Sequence, residues 1–375
     1  MASSVAVVVL ALAIAIGLIF THSPGWSEEE WAIAEPNPSL EAERPPLSGS
    51  CSESKWVKFY GGRNGKTQLV GKLCLPNSTE MSPLVVILAH GLGLSQDCSL
   101  GKFANAFVEQ GMATFTFDYA TFGHSFGSPR HMVDPITHIS DIRAAVATLQ
   151  EKSNVLGIDS EAIGLWGTSL GGGHVMSAAL DDTLSTKKSI KAVVSQVPHL
   201  ASGIESVLGT FISDPITYAP ALARVLAGVM KGLIVSVSGS NWYLPLHGKP
   251  GSAAAMQNPG DEEGYGSLCP PNLHESGRWK NSMTFGSVIR ILFYRPLTKL
   301  IRFRPSEGHD LPPILLVAAE QDTLCPALYA KQLAERIRNA ELLLLDSAGH
   351  FDVYDKELEK TIQHETKFLK KHLMK

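Results

Sequence analysis

Around residue 169 the chain reads AIGLWGTSLGGGHVMSAAL. A short, continuously apolar run leads into Gly167-x-Ser169-x-Gly171, and a stretch of small residues follows. An apolar run of that length is a strand buried on both faces. The glycines allow a sharp turn, and Gly172 and Gly173 open a helix that packs closely beneath it. A strand that turns directly into a helix belongs to a largely parallel sheet covered by helices. The rest of the chain must satisfy that architecture.

It does so by alternation. WVKFY and TQLVGKLCLP form an opening antiparallel pair, and LVVILA (84–89) is a second doubly buried strand. A helix ends near Gly111, MATFTFDY is a strand, and DPITHISDIRAAVATLQEK is an amphipathic helix. Its apolar positions, Ile136, Ile139, Ile142, Ala145, Val146 and Leu149, recur near helical spacing. IKAVVSQVP and PPILLVAA are strands, PALYAKQLAERIR a helix, AELLLLD a strand, and LEKTIQHETKFLKKHL the closing helix. The expected fold is α/β, with a mostly parallel eight-stranded sheet flanked by helices. About a hundred residues, roughly 199–311, separate the sixth and seventh core strands, far beyond an ordinary crossover. This insertion reads as a cap over the catalytic face. Its basic-aromatic stretch VIRILFYRPLTKLIRFRP has an interfacial flavour, but Pro296 argues against one unbroken helix.

The beginning of the chain is of another kind. Val5 to Phe20 is apolar throughout, and residues 1–22 read as a signal anchor or a cleaved signal peptide. The favoured reading is a single-pass membrane anchor, with secretion after cleavage as the alternative. Neither flank carries Lys or Arg, so orientation is not specified. Residues 23–54, rich in Pro, Glu and Ser, form a linker, and the domain occupies 55–375. Asn77 opens an Asn-Ser-Thr sequon, used only on a lumenal or extracellular domain. The formal net charge of −4 has no concentrated basic footprint, which excludes a nucleic-acid partner. The 5 cysteines contain no C-x-x-C pair, so zinc is not indicated. Their odd number prevents complete pairing, and one or two disulfides or buried free thiols both fit.

A nucleophilic serine needs a base, a group that orients the base, and donors for the oxyanion. Two serines carry the G-x-S-x-G pattern, Ser125 in GHSFG and Ser169 in GTSLG. Ser125 is followed by Pro129 and no small-residue helix, so its run is a loop beside the active-site entrance whose hydroxyl satisfies local backbone. Ser169 has the strand, the turn and the helix. Asp322 follows the strand LLVAA and His350 follows LLLLD, in the order Ser, Asp, His and at the carboxyl ends of strands. Glu320 and Asp352 are the rival acids, and Asp322 could alternatively cap the helix after Pro326. His90 and Gly91 mark an oxyanion turn, so the expected donors are the backbone N–H groups of Leu92 and Leu170. Asp261, Glu262 and Glu263 in the insertion would suit a substrate ammonium but read as a solvated loop. His174 is expected to pack behind the turn, and His364 and His372 to be solvated.

Together AHGLG, GTSLGGGH, EQDTLCP and AGHFDVY resemble the α/β-hydrolase superfamily over about Lys55 to Leu373. FDYATFGHSFGSPRH followed by ISDIRAAV is similar to its serine aminopeptidase-like, Xaa-Pro dipeptidyl-peptidase-like or dienelactone-hydrolase-like group. The resemblance implies Ser169 as nucleophile, Asp322 as acid, His350 as base, and neither cofactor nor metal. The expected activity is cleavage of a carboxylic ester, or a related acyl bond in a small molecule, through an acyl-enzyme. Small-peptide hydrolysis and acyl transfer stay open, as does a non-catalytic binding role.

Overall fold

The computed structural model describes residues 51–77, 82–180, 189–205, 223, 226–234, 242–250, 252, 254–269, 273, 279–296 and 311–374. The apolar segment Val5–Phe20 and nearly all of the linker lie outside the described residues. The elements, in chain order, are β1 (Glu53–Gly61), β2 (Thr67–Leu75), β3 (Leu84–Ala89), α1 (Leu100–Glu109), β4 (Ala113–Phe117), α2 (Pro135–Glu151), β5 (Asp159–Thr168), α3 (Leu170–Ala179) and β6 (Ile190–Gln196). The insertion supplies β7 (Tyr243–Leu244), α4 (Asp261–Gly266), β8 (Met283–Thr284) and α5 (Phe285–Phe293). The chain closes with β9 (Ile314–Ala319), α6 (Ala327–Arg336), β10 (Ala340–Leu345) and α7 (Leu358–Leu373).

Eight strands form one sheet in the order β1-β2-β4-β3-β5-β6-β9-β10. β1 and β2 pair antiparallel, β2 joins β4 antiparallel, and every later pairing is parallel. The continuous apolar runs are buried on both faces, as β3, β4 and β9 illustrate. Helices α2, α3 and α6 cover one face. Helices α1 and α7, with parts of the insertion, cover the other. On that second face Trp166 of β5 packs against Phe103, ring centroids 4.6 Å apart, and its indole N–H donates to Glu365 of α7 at 2.9 Å. Glu365 is completely buried, and burial raises its carboxyl to about 8.

Two expectations shift. Ile136 does not join the apolar face of α2. It is 62% exposed: Pro135 in the same first turn is buried, and Ile136, about 100° further round the helix, lies off the stripe formed by Ile139, Ile142, Ala145, Val146 and Leu149. The domain begins earlier than residue 55: β1 starts at Glu53, and Cys51 is bonded to Cys74 of β2. A second disulfide, Cys98–Cys269, joins the segment after β3 to the insertion and leaves Cys325 as the free, buried thiol. Asn77 is exposed. Among the described residues no helix is long and apolar enough to cross a membrane. The basic-aromatic segment is helical over Phe285–Phe293 and ends before Pro296; residues 297–310 lie outside the described ones.

Candidate active site

Ser169 sits between the end of β5 and the start of α3, with φ 55° and ψ −122°. Non-glycine residues rarely adopt this conformation, and strain of this kind gathers at functional sites. Neighbouring backbone holds it in place. The Ser169 amide donates to the Gln196 carbonyl at 2.8 Å, and the Ser169 carbonyl accepts from His199 N–H at 2.9 Å. Gly171 explains the glycine two residues on: a Cβ there would lie 2.4 Å from the His90 carbonyl oxygen and 2.5 Å from that of Ala89. Helix α3 therefore starts hard against the end of β3, and the loop after β3 comes with it. An ideal Cβ on Gly91 would stand 3.2 Å from the Ser169 Cβ.

Asp322 and His350 leave β9 and β10, the adjacent parallel strands at the far side of the sheet. Asp322 is buried, and its Oδ1 accepts the amides of Leu324 at 2.8 Å and Cys325 at 2.7 Å. Its Oδ2 takes the Nδ1–H of His350 at 2.7 Å. The carboxylate thus orders its own turn and still faces the imidazole. With Nδ1 as donor, the other ring nitrogen is the one able to accept a proton. Burial works against a charged imidazole, but the Asp322 carboxylate, with Cys325 beside it, outweighs burial and holds His350 well above its usual range. The loop carrying His350 is anchored to the serine turn, since the Tyr354 and Thr168 hydroxyls are hydrogen-bonded.

The rival acids are elsewhere. Glu320 pairs with Lys331 at 3.2 Å, and Asp352 accepts the Gly349 amide at 2.7 Å and pairs with Lys356. Ser125 is fully buried. Its hydroxyl donates to the Asp118 carbonyl at 2.6 Å and accepts the Val70 amide at 2.9 Å, closing the loop onto β2. His174 packs behind the turn as expected, with Nδ1 2.9 Å from the Tyr294 hydroxyl and Nε2 3.3 Å from Nδ1 of His138. His364 is exposed, whereas His372 is partly covered and packs on Phe368. Among the described residues the amides of Leu92 and Leu170 donate to no protein acceptor.

Two further residues stand near the pair: Cys325, which the sequence did not single out, and Asp261, which it expected to be solvated. The Cys325 thiol lies beside the pair: the Ser169 hydroxyl and the His350 ring both favour its thiolate, yet burial dominates and pushes the thiol up. It is a neutral thiol at neutral pH. Asp322, Cys325 and His350 also have donor atoms within 4.8 Å of one another. The lone pairs of Asp322 are already committed to two amides and the imidazole, which suits a proton relay better than a metal cage. Asp261 is the second. It heads α4 and is buried rather than solvated, with Oδ2 accepting the Asn258 amide at 2.7 Å. Burial raises its carboxyl, against the Asn258 amide and the charge of His350, which favour the carboxylate, while Asp322 adds to the rise. Glu263 is exposed.

The model of the Hydrolase_4 family, described as serine aminopeptidase, S33, matches residues 82–357. The chain belongs to this family. It is therefore an α/β-hydrolase, and a hydrolase by activity. The chain is 30% identical over 296 residues to the quorum-quenching protein AidA of Acinetobacter baumannii, an overlap of 78% of this chain and 88% of AidA. The crystal structure of hypothetical protein PA2218 from Pseudomonas aeruginosa superposes with TM-score 0.67 at 22% identity, covering 91% of this chain and 100% of that one. A soluble variant of monoglyceride lipase from Saccharomyces cerevisiae gives TM-score 0.61 at 16% identity, over 91% and 99% of the two chains. These two structures bear on the fold alone.

Proposed function

We propose that this hydrolase cleaves a carboxylic ester through an acyl-enzyme. The observation that carries the reading is the 2.7 Å bond from His350 Nδ1–H to Asp322, set beside a serine held in a strained turn. Ser169 attacks the carbonyl carbon and gives its proton to Nε2 of His350. Asp322 orients the ring and stabilises the imidazolium. The amides of Leu92 and Leu170 hold the oxyanion. The imidazolium then protonates the leaving alcohol, and water repeats the sequence on the acyl-enzyme. A fluorophosphonate probe tests this directly: wild type labels and Ser169→Ala does not. A folded wild-type chain that does not label refutes it.

Peptide hydrolysis is the second reading, and Asp261 favours it. A buried carboxyl that feels the charges of His350 and Asp322 is a group a substrate ammonium would seek. The family's description as serine aminopeptidase supports the same reading. Acyl esters of graded length compared with aminoacyl anilides separate the two. If anilides are the better substrates and Asp261→Asn removes that preference, the ester reading yields.

The domain is proposed to face an oxidising compartment behind an N-terminal anchor. Two disulfides and the exposed Asn77 support the first part. Carbonate extraction of membranes tests the second, and release into the soluble fraction refutes it.

A further inference from the structure

The loop after β3 must present the Leu92 amide in one direction for the proposed oxyanion hole to exist. Bonds on both sides of the loop fix that direction. On the inner side, the Gly91 carbonyl receives His90 Nδ1 at 3.0 Å and the Leu94 amide at 3.4 Å. A trans peptide places N–H opposite C=O, so holding that carbonyl inward sends the Leu92 N–H the other way. On the outer side, the next two carbonyls are both taken by the insertion. The Tyr265 hydroxyl donates to Leu92 O. The Trp279 indole N–H donates to Gly93 O at 2.7 Å.

The donors stand on a stiff support. His247, Tyr265 and Trp279 form a stack of three rings with centroids 5.0 to 6.4 Å apart. Asn281 staples its two sides, Oδ1 accepting the amides of Leu246 and His247 at 3.0 Å and Nδ2 donating to His247 O at 2.9 Å. Gly93 itself has φ 62°, and a Cβ there would meet Leu246 at 2.5 Å, so the insertion packs directly on the turn. The Cys98–Cys269 bond ties the end of the same loop to the residues just beyond α4. That helix also reaches the histidine loop, where a Cβ on Gly264 would meet the Phe351 ring at 2.3 Å.

We propose that Tyr265 and Trp279 are positioning residues for the oxyanion hole, so that the insertion sets the catalytic competence of the core as well as covering it. The inference rests on the serine-hydrolase reading and on Leu92 as a donor. With the insertion seated, two hydrogen bonds and a packed glycine lock the loop. With it displaced, the loop keeps only the inner bonds to the Gly91 carbonyl, at 3.0 and 3.4 Å, and the Leu92 amide is held less firmly.

Trp279→Phe removes the N–H donor and keeps a ring in the stack; Tyr265→Phe removes the hydroxyl alone. Both are made in the full chain. They are assayed by thermal melting, by kcat and KM on p-nitrophenyl butyrate, and by affinity for an alkyl trifluoromethyl ketone, whose adduct carries the oxyanion. The expected result is a fall in kcat on the order of 10- to 100-fold, below the roughly 10²–10³ that removal of an entire oxyanion donor costs. The ketone affinity falls with it, while KM and the fraction folded at the assay temperature stay near wild type. The proposal is overturned if both folded variants keep wild-type kcat and ketone affinity. A loss of kcat without a matching loss of ketone affinity also overturns it. Failure of wild type to react with a fluorophosphonate refutes the hydrolase reading instead, so the two failures are distinguishable.

Discussion

Replacing Ser169 by glycine should make the protein more stable than replacing it by alanine, although both abolish the nucleophile. At φ 55° and ψ −122° any Cβ is strained. Conformations of this class cost about 1–3 kcal/mol. Alanine retains the Cβ and with it the strain, so Ser169→Ala reports only the loss of the hydroxyl. Glycine relieves the strain but frees the unfolded chain by about 0.5–1 kcal/mol. At mid-range, about 2 less about 0.75, the net difference between the two variants is roughly 1 kcal/mol in favour of glycine. Domains of 150–250 residues shift by about 2–4 °C per kcal/mol, and larger ones by less. The glycine variant should accordingly melt about 1–4 °C above the alanine variant. Differential scanning calorimetry at neutral pH measures the gap, and fluorophosphonate labelling confirms that both are inert. If glycine melts at or below alanine, the turn stores no strain and the account of it is wrong.

Asp322→Asn should lower kcat on the order of 10³–10⁴-fold without unfolding the domain. It should also move the rising limb of the kcat/KM profile to lower pH. That limb follows deprotonation of His350, and in wild type the Asp322 carboxylate sets it above the usual histidine range; an unchanged inflection would contradict the pairing. Glu365 titrates near 8 in the folded chain because it is buried, against about 4.5 when unfolded, so its contribution is complete at pH 4 and drains away as pH rises toward 8. Glu365→Gln should therefore gain stability over wild type at pH 9 and not at pH 5, as read by thermal melts. His199 is depressed to about 4 by burial, and the unfolded chain binds its proton near 6.5. Stability from this group is complete above pH 6.5 and falls as pH drops toward 4, and His199→Gln should flatten that fall.

What the sequence made legible was local. LVVILA and LEKTIQHETKFLKKHL occupy the same bounds as β3 and α7, because each is defined by its own periodicity and neighbours. The positions of Ser169, Asp322 and His350 at strand ends were readable for the same reason. Contacts between distant segments were not. Tyr265 and Leu92 are 173 residues apart and Trp279 and Gly93 are 186 apart, and no pattern along the chain pairs them. Asp261 stood among three acids and looked solvated, but only it heads α4 with its side chain turned inward. Cys325 in DTLCP reads as an ordinary core thiol until the fold brings His350 against it. Ile136 failed for a smaller reason: it sits one position past the buried Pro135, about 100° round the helix, and so falls outside the stripe that α2 turns to the sheet.

The Cys51–Cys74 bond also gives the domain an aim. Residue 53 pairs with residue 75 at the end of β2, and Cys74 lies opposite Thr114, at the amino end of β4. Ser169, Asp322 and His350 follow the carboxyl ends of the parallel strands, across the full height of the sheet. Whatever precedes Cys51 must join the domain at the pole away from the catalytic face, where the disulfide pins it. Under the proposed N-terminal anchor, the domain would turn its back on its attachment and open toward the surrounding medium. Its substrates would arrive from that side, and the length of the linker would govern standoff rather than access.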